Sequence, residues 1–389
     1  MNTPHSESLA WAQRLVRFNT VSDQSNLPLI ECIADHLRSL GVPIRLTYDE
    51  QRRKANLFAT LGQGKPGGIV LSGHTDTVPW DGQDWSADPL SATVRDGRLY
   101  GRGSADMKGW IGLVVAQTQA WLAADLPHAL HYAFSYDEEV GGFGAMKLIA
   151  DLKQAGIAPA LCLVGEPTSM VPAIAHKGVH RWRCCVRGKA AHSSLTPMAV
   201  NSIEAAARVV AHIAAIGDEL RDRGPRQAGF DVPYTTSAVC RIGGGIADNV
   251  VPEEAHFNYE FRDLPGSDVA ALQRRVSDYA ATLEPAMKAV EPNSGFSFEP
   301  FASMPAFQAR PDEPAVRLAQ RLAGTQQTTL VAFGTEAGLF QRAGLSTVVC
   351  GPGSINQAHQ ADEYVSLEQL ARCEAFLQGL GRGLGRESV

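Results

Sequence analysis

Between residues 69 and 164, short apolar runs alternate with longer helical stretches. Ile69-Val70-Leu71 leads into His74, and Leu130–Phe134 and Ala160–Val164 are runs of the same kind. Gly109–Ala124 and Gly142–Ala155 lie between them and carry helix-forming residues. Apolar runs without alternation suit strands covered on both faces, so the pattern predicts an α/β layer around a mostly parallel sheet. Ahead of it, residues 8–41 read as one or two helices, and 44–48 and 56–61 as short strands.

Past Lys177-Gly178 the pattern changes. Residues 179–187 alternate, as a strand with one wet face does. Asn201–Leu220 is amphipathic, with Ile203, Ala206, Ala207, Val210, Ile213 and Ala214 on one stripe and Glu204, Arg208 and His212 on the other. Asn201 and Glu204 have the spacing of a capping pair. Strands at 235–242 and 254–262, a helix from Asp268 to about Val290 and a strand around 296–299 complete a β-α-β-β-α-β order, a two-layer unit of the ferredoxin-like kind. Pro292, Pro300 and Pro305 punctuate the exit. Strands near 328–332 and 346–350 and a helix from Leu367 then resume the first pattern. The reading is one domain made of residues 1–178 and 298–389, with a second, 179–297, inserted in it.

Composition narrows the class. The 389 residues are 44% hydrophobic and 20% charged, enough for large cores without disulfide staples. Lys+Arg 35 against Asp+Glu 41 gives −6, which is no nucleic-acid footprint, and no basic block suggests a membrane surface. Met1–Arg14 lacks the apolar core of a secretory signal, and no apolar run approaches the ~18–20 residues that span a bilayer. Seven cysteines without a Cys-x-x-Cys pair fit reduced thiols, so a cytoplasmic enzyme is expected. Cys162, Cys184, Cys185 and Cys350 read as packing residues, and His5, His128, His131, His212 and His256 show no partner pattern. A Gly-x-Ser-x-Gly elbow, a His-Glu-x-x-His helix and a P-loop are all missing, and Gly101-x-Gly103 lacks the third glycine of a dinucleotide fingerprint.

What remains is the placement of acids and imidazoles. His74 and Asp76, Asp106, Asp137-Glu138-Glu139, Glu166 and His359 each fall just past a predicted strand. In an open α/β sheet those ends share one edge, where sites form. Such N and O donors suit Zn²⁺, and Co²⁺ equally, and a carboxylate can bridge two ions. With Asp106 as bridge, one ion would take His74 and Glu166 and the other Glu139 and His359. Glu138 is then left over as a general base beside an activated water, and Asp76 would fix the His74 tautomer. Taken singly, Asp106 also reads as a helix N-cap, Glu138 or Glu139 as a solvated charge, and His74 as an ordinary satisfied polar residue. A metal-free binding module or a non-catalytic scaffold would need no spare base.

The same residues resemble a known family. Ser72-Gly-His-Thr-Asp-Thr-Val-Pro79, Tyr100-Gly-Arg-Gly-Ser-Ala-Asp-Met-Lys-Gly109, Asp137-Glu-Glu139, Gly165-Glu-Pro-Thr168 and the segment around His359 are similar to the motifs of the dinuclear zinc aminoacylase and carboxypeptidase family. The resemblance implies a three-layer catalytic domain, an inserted dimerisation (lid) domain and a homodimer. It implies His74, Asp106, Glu139, Glu166 and His359 as ligands of two Zn²⁺, Glu138 as catalytic carboxylate and Asp76 as the orienting one. It also implies a cis peptide after Asp106. Gly188-Lys-Ala-Ala-His192 resembles the segment whose His donates to the oxyanion in a neighbouring subunit. Asn249 and Arg262 resemble the family's grip on a substrate carboxylate.

Gly351–Tyr364, Gly165–Ser169, His176-Lys-Gly178, Val232-Pro-Tyr234 and Thr335-Glu-Ala337 resemble the branch that deacetylates N2-acetyl-L-ornithine. Glu166, where many carboxypeptidases of the family have Asp, leans the same way. The Gly141-Gly142 pair after the glutamates departs from that pattern. Glu336, a lone acid after a strand, is expected to meet the distal ammonium of the substrate.

Overall fold

The computed structural model describes residues 3–64, 67–124, 126 and 128–382, so Met1 and Asn2 of the N-terminal stretch lie outside it. The chain divides into two compact units. The first comprises residues 1–175, 307–331 and 335–389, and the second residues 176–306 and 332–334.

The first unit is built on a nine-stranded sheet. At its centre four strands run parallel, in the order Leu130–Ser135, Ile69–His74, Leu161–Pro167 and Ser346–Gly351. Every residue of the first three is buried, which is why they read as unbroken apolar runs. Toward one margin, Ala55–Leu61 and Ile44–Tyr48 add in antiparallel fashion. Toward the other, Ala173–His176 pairs antiparallel with Ser346–Gly351.

Helices cover both faces of this sheet. A Cβ on Gly73 would meet Ile111 and Trp110, so the helix Lys108–Ala116 lies on that side. Val70, on the opposite face, lines a cavity with Ile149 of the helix Phe143–Gln154 and Phe340 of the helix Ala337–Arg342. The expected α/β class and three layers are present. One strand differs from expectation. The strand that precedes Asp106, expected around Leu99-Tyr100-Gly101 and found at Arg98–Tyr100, is not in the large sheet but in a three-stranded one with Thr93–Arg95 and Tyr364–Ser366.

The second unit has the ferredoxin-like order. Its sheet runs Thr236–Gly244, Glu254–Arg262, Val179–Arg187, Gly295–Met304, all antiparallel. It extends to Ala306 rather than ending at 297, because Gly295–Met304 pairs with Val179–Arg187 as far as Met304. Asn201 caps the helix Ser202–Arg223, accepting from the amides of Ile203 and Glu204 and donating to the Glu204 carboxylate. The buried stripe of that helix is Ser202, Ala205, Ala206, Val209, Ile213, Ile216 and Leu220, rotated from the one expected. Ile203 is left 40% exposed, because the residues three and seven positions apart from Ser202 face the sheet.

Candidate functional site

Five segments of the first unit converge at the ends of its central strands. His74 is the last residue of its strand and is buried. Its Nε2 lies 2.8 Å from Asp106 Oδ1 and 3.5 Å from Glu166 Oε1. Glu166 stays within the strand Leu161–Pro167. His359 follows the short turn Ile355–Gln357, and its Nε2 is 3.1 Å from both Asp106 Oδ2 and Glu139 Oε1. Asp106 is therefore flanked by an imidazole on each oxygen. It is not a helix cap. The helix Lys108–Ala116 has Met107 at its N-cap with no side-chain cap bond. The Asp106–Met107 peptide is cis, as the resemblance implies.

Asp76 does part of what was expected of it. His74 Nδ1 faces the Asp76 backbone carbonyl at 3.0 Å and its carboxylate only at 3.5 Å. The strand ends at His74, so the chain turns and offers its carbonyl instead. The carboxylate is engaged elsewhere, accepting from the Ser22 hydroxyl at 2.7 Å, the Glu138 amide at 3.0 Å and the Glu139 amide at 3.3 Å. It thereby holds the segment that carries both glutamates. Lys54 holds the same segment from outside, donating to Asp137 and to the Ser22 carbonyl. Asp137 sits at φ 59. Gly142, also left-handed, donates to the carbonyls of Asp137 and Glu138 and opens the next helix, which accounts for a glycine there.

The electrostatics fit cations. Glu138 and Glu166 are buried, Glu139 is half-buried, and burial followed by mutual carboxylate repulsion pushes all three carboxyls up. The Asp106 carboxyl is held low against the burial effect by hydrogen bonds from His359 and His74. Crowded carboxylates in a dry site want positive charge. Ligand atoms of His74, Asp106 and Glu139 lie within 4.8 Å of one another, as do those of His74, Glu138 and Glu166. Imidazole and carboxylate donors at that spacing suit divalent ions of the zinc type.

The model of the Peptidase family M20/M25/M40 matches residues 70–382. The chain belongs to this family. The family match bears out the motif resemblance at that level, and this M20 chain is a metal-dependent hydrolase of amide bonds. Solved structures share its fold over nearly the whole length. Human carnosine dipeptidase 1 superposes with a TM-score of 0.76 at 18% identity, covering 98% of this chain and 97% of that one. A metallo-carboxypeptidase of the M20 family from Sulfolobus solfataricus gives 0.78 at 15%, covering 98% and 99%. A dinuclear metal binding peptidase of the M20 family from Bacillus subtilis gives 0.64 at 15%, covering 99% of both chains.

Other candidates in the M20 chain fall differently. Glu336 is 1% exposed. Its two oxygens accept from the hydroxyls of Ser135 and of Ser72, the latter at 3.1 Å. It is thus a buried carboxylate with both oxygens engaged by hydroxyls, where a substrate ammonium was the expected partner. His192, Asn249 and Arg262 belong to the second unit. His192 is exposed, and its Nδ1 lies 2.8 Å from the Ser194 hydroxyl within its own turn. Asn249 is its neighbour, accepting from the Ser193 amide at 2.9 Å. Arg262 donates from Nε to Glu260 at 2.9 Å.

Residues that the sequence did not single out complete the site. Besides Ser22 and Lys54 they are Glu363, Arg102 and Gln83. Arg102 and Glu363 lay inside the motifs, but Gln83 carried no signal. Among the described residues no helix is long and apolar enough to cross a membrane.

Proposed function

We propose that this M20 chain hydrolyses the amide of an N-acylated amino acid, with N2-acetyl-L-ornithine as its substrate and L-ornithine and acetate as products. The observation that carries the hydrolysis is Glu138. It is a buried carboxylate set beside the ligand cluster by the Asp76–amide bond, with a carboxyl raised by burial. The substrate rests on the motif resemblance and on Glu166, not on Glu336.

His74, Asp106, Glu139, Glu166 and His359 would hold two divalent ions, zinc or cobalt. When bound, such ions acidify a water and polarise an acyl carbonyl. The work of the chain is proton handling and placement. Glu138 accepts the proton of the attacking water and returns it to the departing nitrogen. Asp76 keeps Glu138 and Glu139 in register through their amides, and its carbonyl keeps Nδ1 of His74 as donor, so that Nε2 faces the cluster. We further assign His192 of a second copy of the chain as donor to the developing oxyanion, a contact worth ~3–4 kcal/mol. Asn249 and Arg262 are assigned to the substrate carboxylate, for which guanidinium offers a forked donor.

A second reading is favoured by the peptidase neighbours: a dipeptidase or carboxypeptidase cleaving the same type of bond. One experiment separates the two. The purified full chain is assayed on N2-acetyl-L-ornithine, other N-acetyl amino acids, N-succinyl-diaminopimelate and dipeptides, with chelator and with zinc or cobalt restored. The expected result is fastest turnover of acetylornithine, abolished by chelator. Faster cleavage of dipeptides establishes the second reading, and absence of any hydrolysis ends both.

A further inference from the structure

The two imidazoles of the cluster are held very differently. His74 ends a buried strand. His359 sits in a loop, its side chain 46% exposed, at φ 61, a region that non-glycine residues seldom occupy. Its backbone therefore needs an external hold, and the hydrogen bonds show one.

The Gln83 side-chain amide donates from Nε2 to the His359 carbonyl at 3.0 Å. The Oε1 of the same amide accepts from Arg102 Nη2 at 2.6 Å and from the Trp85 indole at 3.0 Å. Arg102, 1% exposed, donates from Nη1 to Glu363 at 2.8 Å. Glu363 in turn accepts the amides of Gly103, Ala105 and Asp106, at 3.0, 2.9 and 3.2 Å. One chain of bonds thus runs from the Asp106 loop through Glu363, Arg102 and Gln83 to His359. A few residues along, the Ser86 amide and hydroxyl both donate to Asp362 Oδ1 at 2.9 Å, fastening the 83–86 segment to the His359 loop a second time. Among the described residues, the only ion ligand that Gln83 bonds is His359, and the network meets the shared ligand Asp106 only at its backbone amide.

We propose that Gln83 is a positioning residue for His359, and that the 83–86 strap sets the geometry of one ion site of the pair, the one formed with Glu139, while leaving the His74–Glu166 site alone. The inference rests on the dinuclear reading above. Residues that orient ligands commonly change metal affinity ~10–100-fold when replaced.

The test is calorimetric titration of the metal-stripped full chain with Co²⁺, with the visible cobalt spectrum followed in parallel. The variants are Gln83→Ala, Gln83→Glu and Ser86→Ala, with His359→Ala and His74→Ala as references. Gln83→Glu keeps an acceptor for Arg102 but cannot donate to the His359 carbonyl, so it isolates that bond. Wild type is expected to take two equivalents. Both Gln83 variants should bind the first ion within about threefold of wild type and the second about 10–100-fold more weakly, with the spectrum of His359→Ala rather than His74→Ala. Ser86→Ala should fall between. Unchanged binding of both ions by the Gln83 variants overturns the proposal. So does equal weakening of both ions together with a lowered melting temperature, which marks a merely structural role. A wild type that binds fewer than two ions refutes the dinuclear reading itself, whatever the variants do.

Discussion

At the scale of single residues, neighbours decide what a common side chain does. Glu138 and Glu139 are adjacent, yet Glu139 meets His359 Nε2 at 3.1 Å while the Glu138 amide is held by Asp76. Glu138→Gln keeps the volume and the Asp76–amide bond but removes proton transfer. The expected result is a fall in kcat/KM of about 10²–10⁴ with both ions still bound, measured by assay and elemental analysis on one preparation. A variant that retains full activity would remove Glu138 from the reaction.

His131 shows how little sequence says about a histidine. It has no motif, yet its ring stacks on Phe58 at 5.1 Å and its Nδ1 meets the Thr60 hydroxyl at 3.0 Å. Burial lowers its pKa to about 4. The unfolded chain then takes up the proton before the folded one does. This contribution is intact above the free value near 6.5 and is lost as pH falls toward 4. Between pH 7.5 and 4.5 wild type should lose about 2–3 kcal/mol more stability than His131→Gln. Urea midpoints of the two proteins at both pH values measure this, and equal losses would contradict it. The ligands were legible because acids and imidazoles recur at or just past the ends of apolar runs. Their supports were not, because Gln83, Ser22 and Lys54 act through contacts that have no spacing in the chain.

At the scale of elements, the central strands carry the site because they are packed without slack. A Cβ on Gly165 would fall 2.1–2.2 Å from the buried Trp110 indole. Gly165→Ala must push the helix Lys108–Ala116 away or shift the strand that bears Glu166. A loss of about 3 kcal/mol is expected, read as a lower denaturant midpoint; an unchanged midpoint would show that the indole can move. The apolar runs of these strands were readable because burial on both faces leaves no alternation. Arg98–Tyr100 was misplaced because a three-residue strand gives no period by which to assign it to one sheet or another. The helix Ser202–Arg223 was found with its cap, but its stripe was set one residue off. Alanines, small enough for either side, blur the boundary of an apolar face.

At the scale of the whole molecule, the assignment of His192 requires two copies of the chain. Two inactive variants should then repair each other. A dimer of His192→Ala with Glu138→Gln has one site with both an intact glutamate and a histidine supplied by the other chain. Random pairing should restore about a quarter of wild-type activity. Subunit mixing after mild dissociation, followed by assay, measures this, and no recovery from a mixed dimer would remove His192 from the partner site.

The order of strands in the large sheet has a temporal consequence. Ser346–Gly351 lies inside the sheet, between Leu161–Pro167 and Ala173–His176. During translation, residues up to the end of the inserted unit emerge before this strand exists. Until then a strand that the finished fold buries completely is an open edge, the kind that recruits other chains. The growing polypeptide therefore passes through a long interval in which its first half cannot close, and it is then that protection by a chaperone would matter most.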